Sequence, residues 1–328
     1  MKKVMHWITA LILMSSMGVG VAQPICTTEP DLSSVFGASK LAVSKKSVKN
    51  TNRLTQTTAN EKTTSLYPAV VTKLTGSVIL ISRNGQILNQ SLTIGSQLQR
   101  GDVVETGRQS FITFVLASGV TSSLPSNTKV ALQQASSSVA RYDLLQGRIE
   151  NRVIKKPNAK RNTFEVTVPN GILGVRGTHF LVTHDVQSGV SALSVKQGVV
   201  VVKPLKSCSV PLVVQSEQST LIKQAFSESD VKKSLEAPEW RASKSQRDDN
   251  LLFEVAPVVG AKAYVAQVAR DEGFLDVILE GEASDNTNIV IPSHGLSDGF
   301  YYARFGTIDE QGINGYGRSY LFLRNIKD

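Results

Sequence analysis

Catalysis and metal binding need titratable or nucleophilic side chains held within a few ångströms of one another, and this chain offers few candidates. Of its 4 histidines, His179 and His184 stand five positions apart, which places them on opposite faces of an extended strand. A shared metal ion is therefore not expected, and with no other Cys, His or carboxylate cluster in ligand spacing no metal and no cofactor is assigned. His294 falls in turn-forming sequence between Ser293 and Gly295. Asp248 with Asp249, and Asp309 with Glu310, are paired acids such as a glycosidase uses. Adjacent side chains of an extended chain diverge, however, and both pairs sit in turn or linker sequence. A nucleophile elbow, a His-Glu-x-x-His helix and a phosphate-binding loop are not read from the chain, so the expectation is a protein that is not an enzyme.

Arg148, Arg152, Lys155, Lys156, Lys160 and Arg161 form the densest run of charge, with Glu150 as the one acid among them. Such a run is either an anion-binding surface or a solvated loop between strands. Tyr301, Tyr302 and Tyr316 offer a second kind of contact, stacking on sugar rings with little need of charge. Cys26 and Cys208 are the two cysteines; they either form one disulfide or remain as two thiols.

The compartment follows from residues 1–22. Lys2 and Lys3 precede an apolar run from Trp7 to Val21, and Gly20, Val21 and Ala22 are small enough for cleavage before Gln23, the order of a signal peptide. The alternative is an uncleaved anchor, which Thr9, Ser15 and Ser16 weaken. The expected location is therefore outside the cytoplasm, in the periplasm or cell envelope of a bacterium, with no span in the mature chain. A hydrophobic fraction of 41% and a charged fraction of 19% fit a globular protein and exclude wholesale disorder. Charge divides unevenly: residues 67–203 carry 15 Lys and Arg against 6 Asp and Glu, whereas residues 237–328 carry 9 against 14. A single compact domain would rarely show that polarity, so two domains are expected. Export leaves anionic envelope polymers such as peptidoglycan, or an envelope protein, as partners of the basic part, and excludes nucleic acid.

The elements that must position these residues are short strands. Residues 23–66 read as a disordered Ser/Thr/Lys-rich tail. From Tyr67 onward, apolar runs alternate with turn pairs: Gly76 to Ser82, Asn84-Gly85, Ile87 to Leu92 and Gly95, which are hairpins. Phe111 to Leu116 is apolar at both parities and should be a strand buried on both faces. Residues 204–236 read as a linker in which Gln218 to Leu235 could carry a short helix.

The order Gly76-Ser77-Val78, Gly95, Leu98, Gly101-Asp102-Val103-Val104, Thr106-Gly107, Ser110 and Gly119, followed by Val175-Arg176-Gly177-Thr178-His179-Phe180, resembles the FecR domain over about residues 70–203. The resemblance implies that Gly101, Asp102, Thr106, Gly107, Arg176, Gly177 and Thr178 define the fold, with Arg176 tying strands together by pairing with Asp102 or Glu105; the alternative is an Arg176 that faces a ligand. Residues 237–328 are similar to a fibronectin type III domain through Trp240, Tyr264-x-x-Gln267, Leu296-x-Asp298-Gly299-x-Tyr301-Tyr302 and Asp309-x-x-Gly312. Phe253 to Pro257 and Ala263 to Val268 would form an early hairpin, and either Tyr301 or Tyr302 would be the corner tyrosine. The expected fold is thus all-β: a FecR-like β-rich domain at 67–203 followed by an immunoglobulin-like or fibronectin type III-like sandwich at 237–328.

In well-known FecR proteins a cytoplasmic anti-sigma segment precedes one membrane span and the periplasmic part senses a signal. This chain carries no such segment ahead of its hydrophobic stretch. The expected function is accordingly a non-enzymatic envelope binding or scaffold protein contacting a glycan, an anionic polymer or an envelope protein. A periplasmic signal-sensing regulator of the anti-sigma FecR type is the alternative, and an envelope hydrolase stands third.

Overall fold

The computed structural model describes residues 69–135, 139–154, 163–205, 210–225, 227–246, 250–284 and 286–325. The leader, the tail, both cysteines, Asp248, Asp249 and the basic residues Lys155, Lys156, Lys160 and Arg161 lie outside the described residues. Strands make up almost all of the regular structure. They run β1 (Ala69–Thr75), β2 (Val78–Arg83), β3 (Gln86–Ser91), β4 (Gln97–Leu98), β5 (Asp102–Thr106), β6 (Phe111–Val115), β7 (Val120–Leu124) and β8 (Lys129–Ala135). The long β9 (Val139–Val153) follows, then β10 (Thr163–Val168), β11 (Gly171–Val175), β12 (His179–His184), β13 (Ser191–Gln197), β14 (Val199–Pro204), β15 (Leu212–Gln215), β16 (Gln218–Leu221) and β17 (Lys232–Lys233). These strands form two facing sheets, the first in the order β4-β1-β6-β7-β9-β12-β13-β16-β17. The second runs β3-β2-β5-β8-β9-β10-β11-β14-β15.

Strand β9 belongs to both sheets. Residues 140–146 pair with β8, and residues 147–153 pair with β7 and β12. The buried parity changes along it, from Ala140, Tyr142 and Leu144 to Ile149 and Asn151. Gly147 stands at the change with φ +83, and a Cβ there would lie 2.5 Å from Thr128 Oγ1 and 2.6 Å from the Asn127 carbonyl oxygen. A left-handed backbone pressed against another chain segment admits only glycine. Between the sheets runs an aromatic row, with Phe114 and Phe180 from the first sheet flanking Tyr142 and Phe164 from the second: Phe114 to Tyr142 at 5.8 Å, Tyr142 to Phe164 at 5.2 Å and Phe164 to Phe180 at 6.0 Å. The Asn84-Gly85 turn closes β2 onto β3 with φ of 49 and 82, the positive pair that a two-residue hairpin requires.

The stretch 204–236, expected as a linker with a short helix, instead supplies strands to both sheets. β15 pairs with β14, and β16 pairs with β13 and β17. Leu212 and Val214 alternate into the core, and Pro204 stands at a strand end, where its missing N–H costs little. The helix reduces to a 3-10 turn at Glu228–Asp230.

The second unit is a sandwich of seven strands. β18 (Trp240–Gln246), β19 (Asn250–Val255) and β22 (Asn288–Pro292) form one sheet. β20 (Ala261–Ala269), β21 (Val277–Ser284), β23 (Gly299–Asp309) and β24 (Arg318–Arg324) form the other in the order β21-β20-β23-β24. The hairpin expected from Phe253 to Val268 does not form. β19 and β20 lie in opposite sheets, because the apolar faces of both look into the same core and the connection through Pro257 and Gly260 crosses it. Tyr301 is the core tyrosine: it is buried, and its hydroxyl donates to the Ser297 carbonyl at 3.0 Å.

Two glycines test the pivot. Gly85→Ala, at φ +82 with open space around it, should cost about 1 kcal/mol. Gly147→Ala adds a backbone clash to a similar strain and should cost ~3 kcal/mol or more by urea unfolding.

Candidate functional site

The first sheet has an outer face as well as a core face. In β9 the alternation Arg148, Glu150, Arg152 puts all three side chains outward, while Ile149 and Asn151 point into the core. Glu150 is opposite Ser123 on β7 and Leu181 on β12; Ser123 is opposite Thr113 on β6, and Leu181 opposite Ser194 on β13. One row, polar at every position but Leu181, thus crosses the five strands β6, β7, β9, β12 and β13. On the second unit the outer face of the four-stranded sheet carries a matching row, with Gln267 opposite both Glu280 and Arg304.

The two rows dock on each other. Arg304 clasps Glu150 in a bidentate pair, Nη1 to Oε1 at 3.1 Å and Nη2 to Oε2 at 2.7 Å. Its Nε also donates to Gln267 Oε1 at 3.1 Å, and Gln267 Nε2 donates to Glu280 Oε2 at 2.6 Å. Glu280 is paired in turn with Arg148. His179 Nε2 lies 2.6 Å from Glu150 Oε1 at the other end. A continuous chain of charge and hydrogen bond therefore runs Arg148, Glu280, Gln267, Arg304, Glu150, His179 across the domain boundary. Thr113 Oγ1 donates to the Leu275 carbonyl at 2.7 Å and Ser194 Oγ to that of Asn314 at 2.5 Å. Arg152 donates to the Gly273 carbonyl, and Tyr316 to that of Ser194.

Apolar contacts flank the chain. Phe111 on β6 packs with Ala269, Phe274, Val277 and Tyr302 of the second unit. Phe274 is held at φ +54, an unusual conformation for a bulky residue. Asp271 stabilises its turn by accepting from the backbone N–H groups of Leu275 and Asp276. The reward is the ring's position beneath Arg304, whose guanidinium lies 4.5 Å from its centroid. The two-faced burial expected of Phe111 to Leu116 thus has its cause: Ile112 and Phe114 fill the first unit's core, and Phe111 and Thr113 face the second unit.

Glu150 is the electrostatic centre. Burial by itself would raise its pKa, but the Arg304 charge and hydrogen bonds from His179 and Arg304 outweigh that and hold it well below the usual carboxylate range. Lys196, exposed at the rim of the contact, has its pKa lowered by partial desolvation of its ammonium and then by the like charge of Arg304. Its ammonium sits 5.8 Å from the centre of the Tyr316 ring.

The cavity beside this chain is about 70 Å³ and is bordered by Thr113, Glu150, Gln267, Arg304 and Tyr316; a separate, more open cleft of about 340 Å³ is lined by Lys232 and Asp309. The smaller volume admits a few waters and falls below the few hundred Å³ of an ordinary ligand pocket. The His179–Glu150 contact is consequently a structural link, its acid already saturated by Arg304.

The expected site residues separate. Arg148 and Arg152 leave the presumed anion-binding run and enter the interdomain contact. Tyr302 and Tyr316 are also taken up there, and Tyr301 in the core, so the three tyrosines do not form a sugar-stacking platform. His179 and His184 do stand on opposite faces, His184 inward with its Nδ1 2.9 Å from Ser191 Oγ. Asp309 caps its own turn by accepting from Gln311 and Ile313 N–H groups and pairs with Lys232 at 3.2 Å.

The strand-tying polar pair exists with a different base. Asp102 is fully buried and is held by Arg83, Nε to Oδ1 at 2.6 Å and Nη2 to Oδ2 at 3.0 Å, while Glu105 pairs with Lys129. Arg176 is not its partner, because it lies on the turn between β11 and β12, whereas Arg83 is directly opposite Asp102 across the β2–β5 ladder. Gly101 closes on Asn84, Thr106 donates to the Pro125 carbonyl at 2.6 Å, and Thr178 donates to that of Val199 at 3.0 Å. Gly107 N–H reaches the Ser77 carbonyl at 3.0 Å, and Gly177 turns the chain at φ +62.

One pattern escapes the sequence reading: Gly295-Leu296-Ser297-Asp298-Gly299 has Gly-x-Ser-x-Gly spacing. Here it leads into β23 rather than a helix, and Ser297 serves the corner tyrosine with its carbonyl. It is not a nucleophile elbow.

The geometry defines an all-β, two-unit protein whose site is a contact surface between sheets. Residues 102–201, from β5 into β14, match the family model described as FecR protein, so the first unit contains a FecR domain. No curated protein sequence matches the chain. Two crystal structures, both described as a "putative anti-sigma factor" from Parabacteroides distasonis, share 17% identity with it at a TM-score of 0.33. Each alignment covers 40% of this chain and 58% of the other. A likeness of that size carries no functional information.

Substituting the clasp should expose its cost. Arg304→Met leaves Glu150 buried without its main partner and should lower unfolding free energy by about 3 to 5 kcal/mol. The double variant Glu150→Leu with Arg304→Met, lacking the stranded charge, should recover most of that loss in urea titrations. Because the folded-state pKa of Glu150 lies below its unfolded value, the clasp's contribution is complete above about pH 5. It fades as pH falls through the lowered value, so the parent's acid-side loss of stability should exceed that of the double variant.

Proposed function

We propose that this protein is a non-enzymatic signal-sensing regulator of the FecR type, acting outside the cytoplasm by binding an envelope protein. The observation that carries the reading is the FecR family match across residues 102–201, the strands that build the middle of both sheets. The saturated interdomain chain adds support, since its titratable groups are occupied by one another and the adjoining cavity is too small for an ordinary substrate. The envelope-scaffold reading loses part of its basis because Arg148 and Arg152 are engaged internally. The second unit is read as fibronectin type III-like, on its three-plus-four strand division and the Tyr301 corner. Among the described residues no helix is long and apolar enough to cross a membrane.

A deletion strain distinguishes the two functions. A sensor predicts altered transcription of a defined set of genes, restored by the parent chain, together with an envelope protein captured by cross-linking to the first unit. Unchanged transcription contradicts it. If the chain is then also retained on purified sacculi in a salt-sensitive manner, and Lys155→Gln, Lys156→Gln, Lys160→Gln and Arg161→Gln abolish retention, the protein is an anionic-polymer binder instead.

A further inference from the structure

The docking face of the second unit does not end where the first unit stops covering it. On β23 the outward residues are Phe300, Tyr302 and Arg304, and on β24 they are Ser319, Leu321 and Leu323. Tyr302 is opposite Leu321 and Phe300 opposite Leu323, so beyond Tyr302, which packs in the interdomain contact, the same face continues as an apolar strip. Phe300, Leu321 and Leu323 are 70%, 55% and 57% exposed. Three large neighbouring apolar side chains in water form a patch that monomers usually avoid.

The strip borders an open edge. Among the described residues β24 is the last strand of its sheet and pairs only with β23, so alternate backbone N–H and C=O groups face away from the sheet. Another edge strand differs: β3 places Ile87 and Leu88 on opposite faces and gathers no one-sided patch.

We infer that β24 is the edge through which a second copy of this chain adds, antiparallel and about a two-fold axis near Leu321, to make one sheet continuous across two molecules. An antiparallel edge is complementary to itself under such an axis, each free donor meeting the copy's acceptor. In that register Leu321 meets its own copy and Leu323 lies opposite Ser319. No like charges meet on the outer face; on the other face Arg318, paired with Glu239 at 3.6 Å, stands opposite the buried Arg324 of the copy. The chain's own residues 23–66 fit the edge poorly, being rich in Ser, Thr, Lys and Asn with little apolar alternation. The acidic balance of residues 237–328 likewise disfavours an anionic lipid surface as occupant.

Sedimentation of the full chain across a dilution series tests this without reference to the signalling role. A reversible doubling of mass is expected. Leu321→Lys with Leu323→Lys should raise the dimer dissociation constant about tenfold or more, since like charges then face each other across the axis. Thermal unfolding of the dissociated double variant should match that of the parent after dilution to monomer. Val259→Lys, at a position 96% exposed on another loop, should leave the mass unchanged. A parent that stays monomeric at every concentration, or a dimer indifferent to the double substitution, overturns the inference.

Discussion

A carboxylate shut away from water must be matched by positive charge, and Glu150 meets that requirement with a residue from the other half of the molecule. Its side chain is 13% exposed, and the bidentate Arg304 neutralises it. A buried ion pair of this kind contributes little net stability compared with an apolar replacement, but removal of one member is costly. Its value is therefore in registration: the pair aligns the row through Thr113, Ser123, Glu150, Leu181 and Ser194 with the row through Glu280, Gln267 and Arg304. The surrounding hydrogen bonds and the Phe111–Phe274 contact form in that one alignment.

The architecture of the first unit serves the same end. Because β9 changes sheets at Gly147, its first half seals the aromatic core through Tyr142 and its second half turns Arg148, Glu150 and Arg152 outward. One strand thereby connects the interior of the FecR-like unit to its docking face. The β14 to β17 segment closes both sheets, and Lys232 adds its pair with Asp309 of the second unit.

Much of the fold was legible in the sequence, for physical reasons that differ by element. Asn84-Gly85 specifies its hairpin locally, and the two-parity run at Phe111 to Leu116 correctly signals burial on both faces. The same run could not say what covers the second face, since that contact is made with residues more than 150 positions away. The turn pair Gly101-Asp102 marked a buried carboxylate, but its base, Arg83, is determined by ladder register, which spacing along the chain does not encode. The short strands Leu212–Gln215 and Gln218–Leu221 read as linker because prolines and polar residues surround them and each is only four residues long. For the site, the legible signal was the alternation Arg148-x-Glu150-x-Arg152. On a strand it places three charges on one face, yet they were grouped with Lys155 to Arg161 as a surface run. The lone acid in that run was the informative residue.

The Glu150–Arg304 clasp makes the two units one cooperative body despite their opposite charge balance. Calorimetric unfolding of the full chain tests it most directly. The account predicts a single transition whose calorimetric and van't Hoff enthalpies agree for the parent, splitting into two when Arg304 is replaced by Met. Two separate transitions in the parent chain itself would contradict it.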